Sequence, residues 1–208
     1  AARIIEQWHS KMDNPLEQLA GLIEDPDPRV RLEAVGALSH IQSPESVKIA
    51  MGALDSKLDL ALEYALTQSV HALEPFWLAH LEKGENVFGD NTRHAVFALT
   101  TLGSEKTSGL VRDLLERGDN SNGIRNQLLI LLAHIGNSSE LLDLLGKAKD
   151  IPGLMDELVA ASRKRALRPP GQAVSYLASY LNSDNDDLKV NAVRLIGQWS
   201  FSSLAENI

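Results

Sequence analysis

Apolar residues return every three or four positions along most of the chain, and that period predicts the elements. Val30, Ala34, Val35 and Leu38 fall on one helical stripe. Asp27 and Pro28 precede it, an N-cap followed by a first-turn proline. Gln42-Ser43-Pro44-Glu45 then breaks the chain and starts a second helix, with Val47, Ala50, Met51 and Leu54 as its stripe. This helix-turn-helix unit recurs. Residues 58–73 pair with 75–83, stopped by Gly84; 92–102 pair with 105–117, closed at Gly103 and Gly118; 124–135 pair with 138–148; and 152–166 pair with 170–181. Residues 188–199 open a last unit with no second helix. A short helix carrying Ile4, Ile5 and Trp8 and another over 15–23 form the opening pair. No sustained period-two alternation and no hairpin dipeptide between apolar runs interrupts the pattern, so the expected fold is all-α.

The units are related in sequence. Aligning Val30 with Leu188 also pairs Arg31 with Lys189, Ala34 with Ala192, Val35 with Val193 and Leu38 with Ile196. The offset of 158 residues (30 to 188) equals about five intervals of roughly 32, within the range of helical repeat arrays. One helix pair cannot bury its apolar face alone, so neighbours must stack into one continuous core. Residues 1–208 are therefore expected to form one repeat domain. With a helix already running at Ala1 and the side of 188–199 uncovered, the chain is expected to be a piece of a longer multidomain protein.

Composition supports helices and removes several kinds of chemistry. Hydrophobic residues make up 44% and aromatic ones only 5%, so the core is led by Leu, Ala, Val and Ile. The net charge is −8, whereas a nucleic-acid binder displays a basic stripe; nucleic acid is not an expected partner. The one compact basic cluster, Arg163-Lys164-Arg165 with Arg168 close by, reads either as a solvated helix end or as an anion-binding patch. There is no cysteine, which excludes disulfides, thiolate catalysis, Cys-ligated zinc and covalent c-type haem. No apolar run approaches 18 residues, so no membrane insertion by this segment is expected.

The candidate chemistry is sparse. His40 and His134 occupy equivalent places at the ends of first helices, with His9 and His71 near the same level. Repeats sit about 10 Å apart and metal–nitrogen bonds are about 2 Å, so one histidine per repeat cannot converge on an ion. Asp184, Asp186 and Asp187 lack the glycine and glutamate of a calcium loop, where Lys189 and Leu195 stand instead. Glu63, Glu74 and Glu82 lie on solvated helix positions. Gly118 and Gly123 flank a segment without the lysine of a phosphate loop. The expected sites are accordingly no catalytic residue, no metal and no cofactor. The aromatics offer the remaining candidates. On the helix over 170–181, Val174, Leu177, Ala178 and Leu181 form the expected core stripe. Tyr176 and Tyr180 then project away from it at i, i+4, a candidate partner-contact surface. Trp77 flanks the Leu78/Leu81 stripe and reads as core or as part of such a surface. Trp8 and Trp199 read as core or end-cap residues.

Proline ahead of a first helix, Asp at its cap, Val30-Arg31 at the start and Ala34-Val35 four residues later resemble the HEAT repeat, and the short period is similar to bacterial HEAT-like repeats. The resemblance implies a right-handed α–α superhelix, a HEAT-like solenoid of about six and a half helix pairs. It also implies a polar ladder at the helix starts, matched here by Asp27, Arg31, Arg125 and Lys189. Residues 28–39, 58–66 and 73–78 further resemble the HEAT region of large bacterial proteins of the membrane-bound dehydrogenase type. In those proteins a propeller similar to sugar dehydrogenases precedes the helical array and a cytochrome c domain follows it. That resemblance is densest over 1–84 and implies a periplasmic, non-catalytic scaffold that links or docks redox domains through protein–protein contacts. The alternative is a HEAT enzyme similar to bilin lyases or alkyl-base DNA glycosylases, working through a concave groove.

Overall fold

The computed structural model describes residues 1–208 except 90, 118–120, 166 and 208. The expected helix stop at Gly118, the end of the 152–166 helix at Ala166 and the chain end at Ile208 lie outside the described residues. Among the described residues there is no strand, and the protein is all-α. Its contacts divide it into two compact units, residues 1–102 and 103–208.

The first unit contains α1 (Ala2–Trp8), α2 (Pro15–Ile23), α3 (Pro28–Ser39), α4 (Pro44–Met51), α5 (Leu60–Glu82) and α6 (Thr92–Leu102). Helices α1, α3 and α5 pack side by side in one layer, and α2 and α4 form a second layer against α3 and α5. The starts of α3 and α4 fall where the sequence predicts them, and α5 begins two residues after the predicted start at Leu58. Asp27 Oδ1 accepts from the Arg29 N–H at 2.9 Å, Ser43 Oγ from Glu45 at 3.2 Å, and Asp59 Oδ1 from Leu62 at 2.8 Å. Each bond satisfies a donor that a helix leaves unpaired in its first turn. The ends at Gly84 and Gly103 also stand as read: both adopt positive φ, 82° and 55°, the left-handed closing conformation glycine reaches without strain.

One element differs. The sequence predicts two helices meeting at Pro75, and the structure has a single 23-residue helix, α5, with Pro75 inside it. Proline removes only the bond that its missing N–H would make to the His71 carbonyl, at about 3 kcal/mol with its ring clash. The stripe Leu62, Leu66, Val70, Leu73 and Trp77 is fully buried across the break. Burying such side chains contributes about 1.5–3 kcal/mol each, so continuous packing outweighs the proline. Trp77 Nε1 donates to the Val70 carbonyl at 3.0 Å, spanning the same turn. The segment after α5 fills the place of the missing partner helix with a turn, burying Val87 and Phe88. Phe88 meets Trp77 edge-on, with ring centroids 5.6 Å apart.

The second unit contains α7 (Ser108–Glu116), α8 (Asn122–Ile135), α9 (Ser138–Lys147), α10 (Leu154–Lys164), α11 (Ala173–Leu181) and α12 (Asp186–Trp199). Helices α8, α10 and α12 form one layer, α9 and α11 the other, and α7 packs on α8. This is the two-layer stacking of a helical-repeat solenoid, built from Leu128, Leu132, Leu144, Leu158, Leu177 and Leu195. Asn137 begins α9 with a capping box completed by Glu140. Asn185 caps α12 by accepting from Asp187 and Leu188, and Asp186 pairs with Lys189 at 3.3 Å, so the acidic run 184–187 serves helix initiation.

Candidate functional site

Polar side chains that reach between helices are the chemistry this fold positions. Arg31, on α3, is buried and donates from Nη1 to the carbonyls of Asp25 at 2.7 Å and Pro26 at 3.1 Å. Its Nη2 reaches the Lys57 carbonyl at 3.3 Å, tying the loop before α3 to the loop before α5. Ser69 donates to the Val35 carbonyl at 3.3 Å, joining α5 to α3. His94 sits 3.1 Å from Asp55 and His134 sits 2.7 Å from Glu157, each link joining separate elements. Asn191, buried on α12, donates to Asp156 of α10 at 2.9 Å and accepts from Arg194 at 3.0 Å. Neither Ser69 nor Asn191 was legible as a joint, because each looks in sequence like an ordinary polar helix position.

Among the described residues the expected polar ladder is not assembled. Asp27 serves its own cap and Arg31 is engaged by carbonyls. Arg125 reaches the Leu115 carbonyl at 3.4 Å, and Lys189 turns back to Asp186. The guanidinium groups find their acceptors in backbone carbonyls of inter-helix loops and helix ends. The histidines are likewise held singly: His40 lies 3.1 Å from Glu6 and His80 lies 2.7 Å from Glu85. That hydrogen bond from His80 holds the Glu85 carboxyl below the usual range. Among the described residues no three His, Asp or Glu side chains gather as a metal would require.

The aromatic surface is corrected at two of its three residues. Tyr180 is only 4% exposed and Trp77 is fully buried. The buried stripe of α11 is Ala173, Leu177 and Tyr180, turned by about one residue from the expected Val174, Leu177, Ala178 and Leu181. In this orientation the Tyr180 hydroxyl donates to the Leu145 carbonyl at the end of α9. Burial pushes this phenol above its ordinary range. Tyr176 remains 39% exposed, its ring lying across Gly146. Elsewhere Trp199 is buried as expected, whereas Trp8 is exposed with the Lys11 ammonium 5.0 Å from its ring centre. Val193, the counterpart of buried Val35, faces outward.

Large apolar side chains on the surface were missed. Leu60 is 86% exposed and Tyr64 67%, at i, i+4 on the first turns of α5. They belong to the outer face of a helix whose inner stripe is complete, and only that tertiary assignment distinguishes them from core residues. Two hollows also open in the units. One of about 440 Å³ lies among α2, α4 and α6, with Ile23, Ile49, Phe88 and His94 in its wall. Another of about 480 Å³ is lined by the basic cluster and Trp199.

Among the described residues no helix is long and apolar enough to cross a membrane. No curated protein matches the chain. Residues 1–70, from α1 into α5, match the family described as HEAT repeats.

Proposed function

We propose that this chain is a non-catalytic protein-interaction and scaffold module, docking or linking redox domains of a larger bacterial oxidoreductase-like protein. HEAT repeats generally mediate protein interaction or scaffolding. The observation that carries the interaction reading is the Leu60/Tyr64 pair. These side chains keep most of their apolar surface in water on a rigid helix, and exposed tyrosine flanked by aliphatic surface is the composition of interface anchors. The redox context rests on the resemblance of residues 28–39, 58–66 and 73–78. In this reading residues 1–208 act as one repeat domain whose partners are proteins, and its setting is periplasmic.

Tyr176 is a separate exposed contact candidate within the second unit, while Tyr180 and Trp77 are buried and each holds its own helix. The test is binding of a purified cytochrome c domain and of a sugar-dehydrogenase-type propeller domain to the wild-type chain and to L60A/Y64A. The expected result is a loss of affinity of tenfold or more with an unchanged melting temperature. Equal binding by the double variant removes the α5 surface from the reading, and failure of both domains to bind removes the redox context.

A further inference from the structure

The basic cluster at the end of α10 forms a hollow that its structural duties do not exhaust. Arg163 and Lys164 stand in the last turn of α10, where cations complement the helix dipole. Arg168 donates to the Trp199 carbonyl at 3.3 Å, satisfying the end of α12, and stacks 5.9 Å from the Phe201 ring centre. Arg165 is held on one edge by Glu105, whose Oε1 lies 3.1 Å from Nε and 3.0 Å from Nη2. These contacts account for three of the cations and for half of the fourth. They leave two donors over.

Arg165 Nη1 and Trp199 Nε1 are closed off from solvent and have no hydrogen-bond partner among the described residues. Trp199 is 3% exposed, and both residues belong to the wall of the same hollow, about 480 Å³ in volume. Buried N–H groups are nearly always paired, because an unpaired donor has lost its water and gained nothing. Two unpaired donors in one wall, which Arg163, Lys164 and Arg168 also line, define an acceptor of a particular kind. It must be anionic, present several oxygens at once, and be small enough to enter from one side. Guanidinium edges and indole N–H groups serve such oxygens with directional bonds, and the lysine adds charge without directional demand. The chain as a whole carries −8, so this positive field is local and converges on a point. A nucleic-acid backbone would need a stripe of cations along the surface.

We infer that this hollow binds a phosphate monoester group, with Arg165 Nη1 and Trp199 Nε1 as its inner donors and Arg163 and Lys164 at its rim. Glu105 holds the Nε/Nη2 edge of the Arg165 guanidinium and leaves Nη1 uncommitted. The site lies within the second unit and is independent of the α5 surface.

The chain has three tryptophans, so a ¹H–¹⁵N spectrum of the full chain contains three indole N–H signals, and W199F identifies one of them. Titration with inorganic phosphate at constant ionic strength is expected to move the Trp199 signal to saturation, leaving those of Trp8 and Trp77 in place. R165Q should weaken the response about tenfold or more, as expected for losing a charge-assisted bond. R163Q/K164Q, which alters only exposed side chains, should weaken it several-fold without affecting folding. Glycerol phosphate should act like inorganic phosphate, whereas acetate should not. A drift common to all three indoles, a response equal in R163Q/K164Q and wild type, or equal action by acetate overturns the assignment. Tighter binding by a single-stranded oligonucleotide than by either monoester overturns it in favour of a diester backbone.

Discussion

The ring of Tyr176 lies across Gly146 so closely that a Cβ at position 146 would sit 3.1 Å from its Cζ and hydroxyl oxygen. The joint between α9 and α11 is thus a tyrosine laid on bare backbone, and the second tyrosine of α11 completes it through the Leu145 carbonyl. Gly146→Ala gains about 0.5–1 kcal/mol of helix preference but crowds this ring. The two effects separate in a double-mutant cycle. Alanine at 146 should stabilise the protein in a Y176A background and not in the wild type, a coupling of about 0.5–1 kcal/mol measured by denaturant unfolding. Additive effects would show that the ring moves aside freely.

Tyr180→Phe removes one hydrogen bond to the Leu145 carbonyl, which keeps the Ala148 N–H as its other donor, at a cost of about 0.5–1.5 kcal/mol. Because burial raises the folded phenol, the tyrosine's contribution is complete below about pH 10, the ordinary unfolded value. It declines as pH rises through the folded value. Thermal melts of wild type should therefore lose stability on the alkaline side more steeply than those of Y180F. Parallel curves would contradict the burial of this side chain.

Pro75 offers a stabilising change. It is exposed within α5, and Pro75→Ala restores the N–H that can reach the His71 carbonyl and relieves the ring clash. Greater freedom of the unfolded chain offsets about 1 kcal/mol of that gain. The net expectation is about 1–2 kcal/mol, seen as a higher denaturant midpoint at constant slope. A lower midpoint would mean that the proline shapes α5 rather than being tolerated by it.

Arg31→Met keeps much of the buried stem but removes three bonds to loop carbonyls, and a loss of about 2–4 kcal/mol is expected. Arg31→Lys should recover only part of it, since an ammonium lacks the planar fork that reaches Asp25, Pro26 and Lys57 together. Chemical denaturation of both variants checks the order. Full recovery by lysine would show that charge, not geometry, holds the two loops.

On the exposed side of the first unit, Arg3 and Glu33 join α1 to α3 at 2.6 Å. The hydrogen bond from Arg3 holds the Glu33 carboxyl below its ordinary value. The pair therefore acts above the ordinary carboxylate range and fades as pH falls through the lowered value. An exposed pair of this kind is screened by water and salt, so E33Q should change the melting temperature by no more than a degree or two near neutral pH.

The sequence by itself determined helical class, most helix starts and the break points between units, because capping residues, first-turn prolines and closing glycines act within a few residues of chain. Asp27, Ser43, Asn137 and Gly103 carry their roles locally, and the HEAT resemblance rests on Asp27 and Pro28 with Val30, Arg31, Ala34 and Val35. Only tertiary structure decided what happens at Pro75, where a buried stripe extending to Trp77 overrides a local helix breaker. Tertiary packing also decided which way each helix faces. A rotation of one residue buries Tyr180 in place of Val174, and Val193 turns outward where Val35 turns in. The same holds for Leu60 and Tyr64, and for the unpaired donors of Arg165 and Trp199. Periodicity states that a helix has an apolar side. Which side meets a neighbour, and which buried donor is left without an acceptor, depends on atoms contributed by residues thirty or more positions away.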